Sequence, residues 1–141
     1  MTISAPPPQG AYLPATIHGD IIYTAGMTPR KNGNLLFEGV IGDTLSIESA
    51  KVAAAQAAKN AVDAVLACAG PSRHITQCLR MTVYLVCTTG FTDHSKIADA
   101  ASDYVMYRLG TETNGVRTTI GVAGLPGGAP VEIELTTAIA H

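Results

Sequence analysis

Charge is what this sequence has least of. Only 14% of its 141 residues are Asp, Glu, Lys or Arg, and the formal net charge is -2. No cluster of Lys and Arg occurs, and no basic stripe interleaved with aromatics, so nothing draws the chain to a nucleic acid backbone. No apolar run approaches the roughly 20 residues that span a bilayer, so no membrane partner is expected. The first residues, Met-Thr-Ile-Ser-Ala-Pro-Pro-Pro, carry neither the basic nor the apolar region of a signal peptide. Cysteine is scarce: Cys68, Cys78 and Cys87, an odd number without CxxC spacing. That argues against a disulfide framework or a zinc site and points to a reducing, cytoplasmic compartment. His18, His74, His94 and His141 have no His or Cys partner at ligand spacing, so no metal is expected. Repeats, low-complexity segments and linkers are absent too, and 141 residues fit one domain, 1–141.

What is present is a 47% apolar chain with a clear alternation of strand and helix patterns. A first hairpin is predicted from 12–19 and 20–26, turning at His18-Gly-Asp20. Residues 27–46 read as loop, with a short strand at Leu35-Leu-Phe37. Asp43, Thr44 or Ser46 can cap a long Ala-rich helix that Gly70-Pro71 stops. Residues 75–87 alternate as a strand, with Leu79, Met81, Val83 and Leu85 on one face and Cys78, Arg80, Thr82, Tyr84 and Val86 on the other. A second helix is predicted over 92–109, striped by Ile97, Ala101, Val105 and Leu109. Two strands joined by a Gly/Pro turn close the chain. The order β-β-(β)-α-β-α-β-β implies an α+β fold, a mixed sheet with two helices on one face. The bare face and the sparse surface charge predict burial between copies of the chain, a homo-oligomer.

The closing segment, from Arg117-Thr-Thr-Ile-Gly-Val-Ala to Val131-Glu-Ile-Glu134, is the most informative. A strand arginine is rarely buried without a partner. Either Arg117 pairs with Glu132 or Glu134, or it waits for an anion that suits its planar fork. Arg117, Thr119 and Gly121 share one strand face; Glu132, Glu134 and Thr136 share another. A hairpin pairing Gly121 with Glu132 would bring both sets to one side, and a one-residue slip would separate them. Asn60, polar within the Ala-rich helix, reads as a buried amide satisfied by strand backbone. The cysteines read as core or interface filler.

Gly10-Ala-Tyr12, Ile21-Ile-Tyr-Thr-Ala-Gly26-Met-Thr-Pro29, Asn60, Met81-Thr-Val-Tyr-Leu85, Phe91, Arg117-Thr-Thr-Ile-Gly-Val-Ala123, Leu125-Pro126 and Val131-Glu-Ile-Glu134 together resemble the Rid family, also called YjgF or RidA. The resemblance spans residues 10–138. It implies a chorismate-mutase-like fold and a homotrimer with sites in the clefts between subunits. It also implies hydrolysis of a 2-imino or enamino acid, an aminomuconate-like compound included, to a 2-oxo acid and ammonia, with no cofactor. On the family pattern Arg117 binds the substrate carboxylate and Glu132 positions water. Tyr12, Ala25, the backbone of Gly26 and Phe91 would line the substrate site. Thr119 stands where the family has a cysteine and could hydrogen-bond water or substrate. Ala25 replaces a serine, Met27 a glutamine, and the loop 27–46 is longer, which marks a divergent subgroup. The alternative function is a non-catalytic trimeric protein that binds small carboxylates, as a regulator for instance. The acidic balance argues against a ribonuclease.

Overall fold

Strand β1 (Ala15–His18) turns through Gly19, at φ 59°, into β2 (Ile21–Thr24), the hairpin that the sequence predicted. The computed structural model describes residues 3–110 and 114–141. After β2, residues 30–35 make a miniature hairpin, β3 (Arg30–Lys31) and β4 (Asn34–Leu35), around Asn32 and Gly33 in the left-handed region. Helix α1 (Ile47–Ala69) starts where Ser46 Oγ accepts the Ser49 N–H at 3.1 Å, and ends where the Gly70 N–H reaches Leu66 O at 3.1 Å. Strand β5 (His74–Val86), helix α2 (His94–Leu109), strand β6 (Val116–Val122) and strand β7 (Val131–Ala140) complete the chain.

The main sheet runs β1-β2-β7-β5-β6 and is antiparallel except for the parallel pair β5–β6. The expected closing hairpin is therefore not formed: β6 lies at the edge, and β7 inserts between β2 and β5. The reason is physical. The β5–α2–β6 unit is a crossover, which lays β6 parallel beside β5. Strand β7 alternates strictly, burying Val131, Ile133, Leu135, Thr137 and Ile139. It forms ladders on both sides in the middle of the sheet, from Leu85↔Val131 to His74↔Ala140 along β5 alone. A pairing beside β6 would have left one of its edges bare.

Both helices cover the face that carries Ile22, Met81, Val83, Leu85, Ile133 and Leu135, and with it they form one apolar core. Six alanines of α1, from Ala50 to Ala61, have no exposed surface, so the helix backbone lies close to the sheet and to α2. Arg108 of α2 ties the helices together through Asp63 at 3.0 Å. Cys78 corrects the predicted faces. It lies in the core, 3% exposed, because the ladder slips between Cys78 and Arg80 and resets the alternation. Burial pushes its thiol up to about 11, which suits inert filler. The opposite face has no covering layer in the protomer: Tyr23, Val116 and Ile120 are each more than 40% exposed there.

Asn60 joins α1 to the loop that follows β2. It is 5% exposed, and its Nδ2 donates to Thr28 O at 2.9 Å and Arg30 O at 2.8 Å while its Oδ1 accepts from Gln56 at 3.1 Å. Asn60→Ala should cost about 1–2 kcal/mol, because it removes two buried hydrogen bonds to loop carbonyls that each keep one other donor, the Arg30 N–H on Thr28 O and Gln56 Nε2 on Arg30 O. The urea midpoint should fall with an unchanged slope. An unshifted midpoint would show that the bonds to the loop carry no net stability.

Candidate active site

Alternation along β7 decides the direction of Glu132. Its neighbours Val131 and Ile133 are fully buried under the helices, so Glu132 projects from the other face. The chain leaving β2 then runs antiparallel beside β7. The Met27 N–H donates to Ile133 O at 2.7 Å and the Ile133 N–H returns to Met27 O at 2.9 Å. That pairing brings Gly26 onto the carboxylate: a Cβ there would stand 2.7 Å from Glu132 Cδ and 2.8 Å from Oε2. Any larger residue there would displace the carboxylate from this position. A cavity of about 60 Å³ opens beside it, with Glu132, Gly26, Met27, Tyr12, Arg30 and Asn60 among its walls. The proline run Pro6–Pro8 forms another wall. Desolvation raises the Glu132 carboxyl above the ordinary glutamate range, and the nearby Glu134 adds to the effect. Glu134 itself accepts a hydrogen bond from Tyr84 Oη at 2.8 Å.

Of the residues singled out from sequence, Tyr12 and Gly26 join Glu132 at this cavity. Tyr12 is a half-exposed wall whose hydroxyl accepts the Gln9 N–H at 3.2 Å. Ala25 donates its N–H to Pro14 O at 2.9 Å and borders a neighbouring hollow with Leu13 and Tyr23.

Arg117 does not join them within the protomer. It sits in register with Met81, on the helix-covered face, and its Nη1 donates to Asp99 Oδ1 at 2.8 Å and Ser102 Oγ at 2.9 Å. The parity expectation is thus corrected. Arg117 and Thr119 lie on one side of the sheet, Glu132 and Glu134 on the other, with β5 between the strands. Of the two alternatives for Arg117, pairing with Glu132 or Glu134 is not formed within the protomer; the carboxylate it meets is Asp99. Thr119 follows on the Arg117 face, and beyond it Gly121 makes room for Cys87 and His94, whose Sγ and Nε2 lie 3.5 Å apart. Phe91 stands edge-on to His94, ring centres 5.3 Å apart. Phe91 therefore belongs to the Arg117 side. Burial raises the Cys87 thiol, which keeps it from ready ionisation.

Sequence reading passed over Arg30. Its Nη1 donates to Gly33 O at 3.0 Å, but its Nε is buried with no partner. An unmet buried donor of this kind costs about 1–3 kcal/mol. The cation pair Arg30-Lys31 directly after the Gly26-Met-Thr-Pro29 segment was the available signal. Among the described residues no three His, Cys, Asp or Glu side chains converge as a metal centre requires.

This fold is shared with solved proteins. The protein Atu1372 from Agrobacterium tumefaciens superposes with a TM-score of 0.85 at 26% identity, covering 95% of this chain and 86% of that one. The YjgF gene product of E. coli superposes at 0.68 with 21% identity, covering 98% of each. The architecture is the chorismate-mutase-like α+β fold. In sequence, protein TCP17 of Trypanosoma cruzi is 26% identical over 132 residues, 93% of this chain and 82% of its own length. The family profile described as Endoribonuclease L-PSP matches residues 2–139. The chain belongs to this family, the YjgF/RidA family. Among the described residues no helix is long and apolar enough to cross a membrane.

Proposed function

We propose that this protein is a cofactor-independent hydrolase of 2-imino or 2-enamino acids, acting in clefts between the subunits of a homotrimer. The observation that carries the reading is Glu132: a half-buried carboxylate with a raised pKa, pressed on the Gly26 backbone at the wall of a small cavity. Such a group takes up a proton more readily than an ordinary glutamate, as a general base must. Hydrolysis of an imine asks for little else. Water adds to the carbon of the protonated C=N bond, the π pair moves to nitrogen, and Glu132 takes the proton that water loses. The proton then returns to the carbinolamine nitrogen, the hydroxyl oxygen closes the C=O bond as the C–N bond breaks, Glu132 takes the hydroxyl proton, and ammonia leaves.

The substrate carboxylate needs a cation. In this reading it is Arg117 of the partner subunit, since in one protomer Arg117 and Glu132 face opposite sides of the sheet. Strand β6 is an edge strand, so Arg117 lies at a margin where a second subunit can dock. The uncovered face, with Tyr23, Val116 and Ile120 exposed, supplies apolar area for that docking. Thr119 and Phe91 would reach the cleft from the Arg117 side, Tyr12 and Gly26 from the Glu132 side. Against an RNA substrate stands the net charge of -2, which supplies no attraction to a phosphate backbone.

The deciding assay generates 2-iminopropionate in place and follows ammonia release against the uncatalysed rate. Acceleration supports the hydrolase. Carboxylate binding without acceleration would favour the non-catalytic binding protein. Light scattering at micromolar concentration should give three times the 14.6 kDa chain mass. A monomer would sink the cleft.

A further inference from the structure

Arg30 holds a place that the proposed chemistry does not use. Two of its features point to a ligand. Its Nε is buried without a partner, and among the described residues no carboxylate lies within ion-pair distance of it. It also borders two spaces at once. One is the Glu132 cavity. The other is a larger hollow of about 500 Å³ that shares Pro6, Pro7, Gln9, Arg30 and Asn60 with the first.

The setting favours an anion. Lys31 and Lys59 also line the larger hollow, and the carboxylate there, Asp63, is already taken by Lys59 at 2.7 Å and Arg108 at 3.0 Å. Gly127, at φ 69°, leaves the room that the guanidinium fills: a Cβ there would stand 2.9 Å from Arg30 Nη2. The hydrogen bond from Nη1 to Gly33 O fixes one branch of the fork, so the remaining donors are oriented in advance. The wall facing them is easily moved. Pro6 to Pro8 lack N–H groups, and among the described residues the hydrogen bonds of Gln9 go only to Pro7 O and to the Tyr12 hydroxyl.

We propose that Arg30 is a second anion anchor in the Glu132 cavity and selects substrates that carry a second carboxylate, a dicarboxylic imino or enamino acid. The inference rests on the proposed hydrolase for the identity of the reacting group. The first carboxylate goes to the partner subunit's Arg117, the reacting carbon to Glu132, and the distal carboxylate to Arg30.

The test separates binding from turnover. Glutarate and pentanoate, equal in chain length and differing in one carboxylate, are titrated calorimetrically into the wild type, Arg30→Gln and Arg30→Lys. Wild type should bind glutarate at least about tenfold more tightly, the scale of one charge-assisted hydrogen bond. Arg30→Gln should erase most of that preference and leave pentanoate within about twofold. Arg30→Lys keeps the charge and should recover only part, and it decides the matter should the Gln variant fail to assemble. In turnover, Arg30→Gln should lower the ratio of kcat/KM for a dicarboxylic imine such as 2-iminoglutarate to that for 2-iminopropionate roughly tenfold to a hundredfold. Equal binding of the two acids by the wild type, or a preference unchanged in the variants, overturns the proposal. Arg30-dependent glutarate binding without any imine turnover would sink the hydrolase and leave the anchor standing. Turnover of 2-iminopropionate without a glutarate preference would do the reverse.

Discussion

Arg117→Ala is expected to lower kcat/KM for 2-iminopropionate by roughly a hundredfold to a thousandfold, the cost of truncating one partner of a desolvated, hydrogen-bonded charge pair. The loss should appear with the trimer intact. A structural role alone predicts something different. In the protomer the guanidinium bridges β6 to α2 through Asp99 and Ser102. The side chain of Asp99 is 66% exposed, so the bridge itself is worth no more than about 1 kcal/mol. Asp99→Asn removes that bridge and keeps the guanidinium. If Arg117 matters only as a brace, the two variants should behave alike. If it holds the substrate carboxylate, Asp99→Asn should stay within a few-fold of wild type while Arg117→Ala collapses. Arg117→Lys should sit near the alanine variant, because a point charge cannot reproduce the planar fork. Steady-state rates for the four proteins decide the question, and wild-type turnover in Arg117→Ala would end the carboxylate role.

Much of the fold was legible because its signals are local. The Ser46 cap and Gly70 stop bracket α1 as the sequence predicted, and the alternation from Met81 to Leu85 declares a strand with one buried face. Asn60 was readable as a satisfied buried amide for the same reason. What could not be read was non-local. Nothing in residues 116–140 reports that β7 leaves its sequence neighbour and pairs instead with β5 and β2. A parity argument carries a side chain across strands only when the pairing is known. With the wrong pairing, Arg117 and Glu132 fell on one face. With the observed one they fall on two. Cys78 failed in the same way, since a slip in the ladder is invisible in a sequence that keeps alternating. The site was legible residue by residue and not as a constellation. Glu132, Gly26 and Tyr12 meet at one cavity, Arg117, Thr119 and Phe91 belong to the other side of the sheet, and Arg30 was hidden in a stretch read as loop.

Glu132→Gln isolates the step that the proposed chemistry assigns to this carboxylate. It keeps the shape that fits beneath Gly26 and removes the base, so kcat should drop roughly tenfold to a thousandfold with little change in binding. The pH dependence carries the sharper signature. Burial raises the carboxyl, and Glu134 raises it further. The acid limb of the wild-type rate profile should therefore lie above the ordinary glutamate range and vanish in the variant. Stability should move the opposite way. A carboxyl whose folded pKa is raised favours the folded state most below its unfolded pKa, and that advantage is lost as pH climbs through the folded value. At neutral pH the native protein thus carries the cost of a desolvated charge. Glu132→Gln removes the charge and should raise the urea midpoint at pH 7, with the gain fading as pH falls toward 4. A variant that is slower and more stable is the mark of a strained functional group. Were Glu132 an ordinary surface carboxylate, neither the rate nor the midpoint would change. Were it a structural anchor, both would fall together.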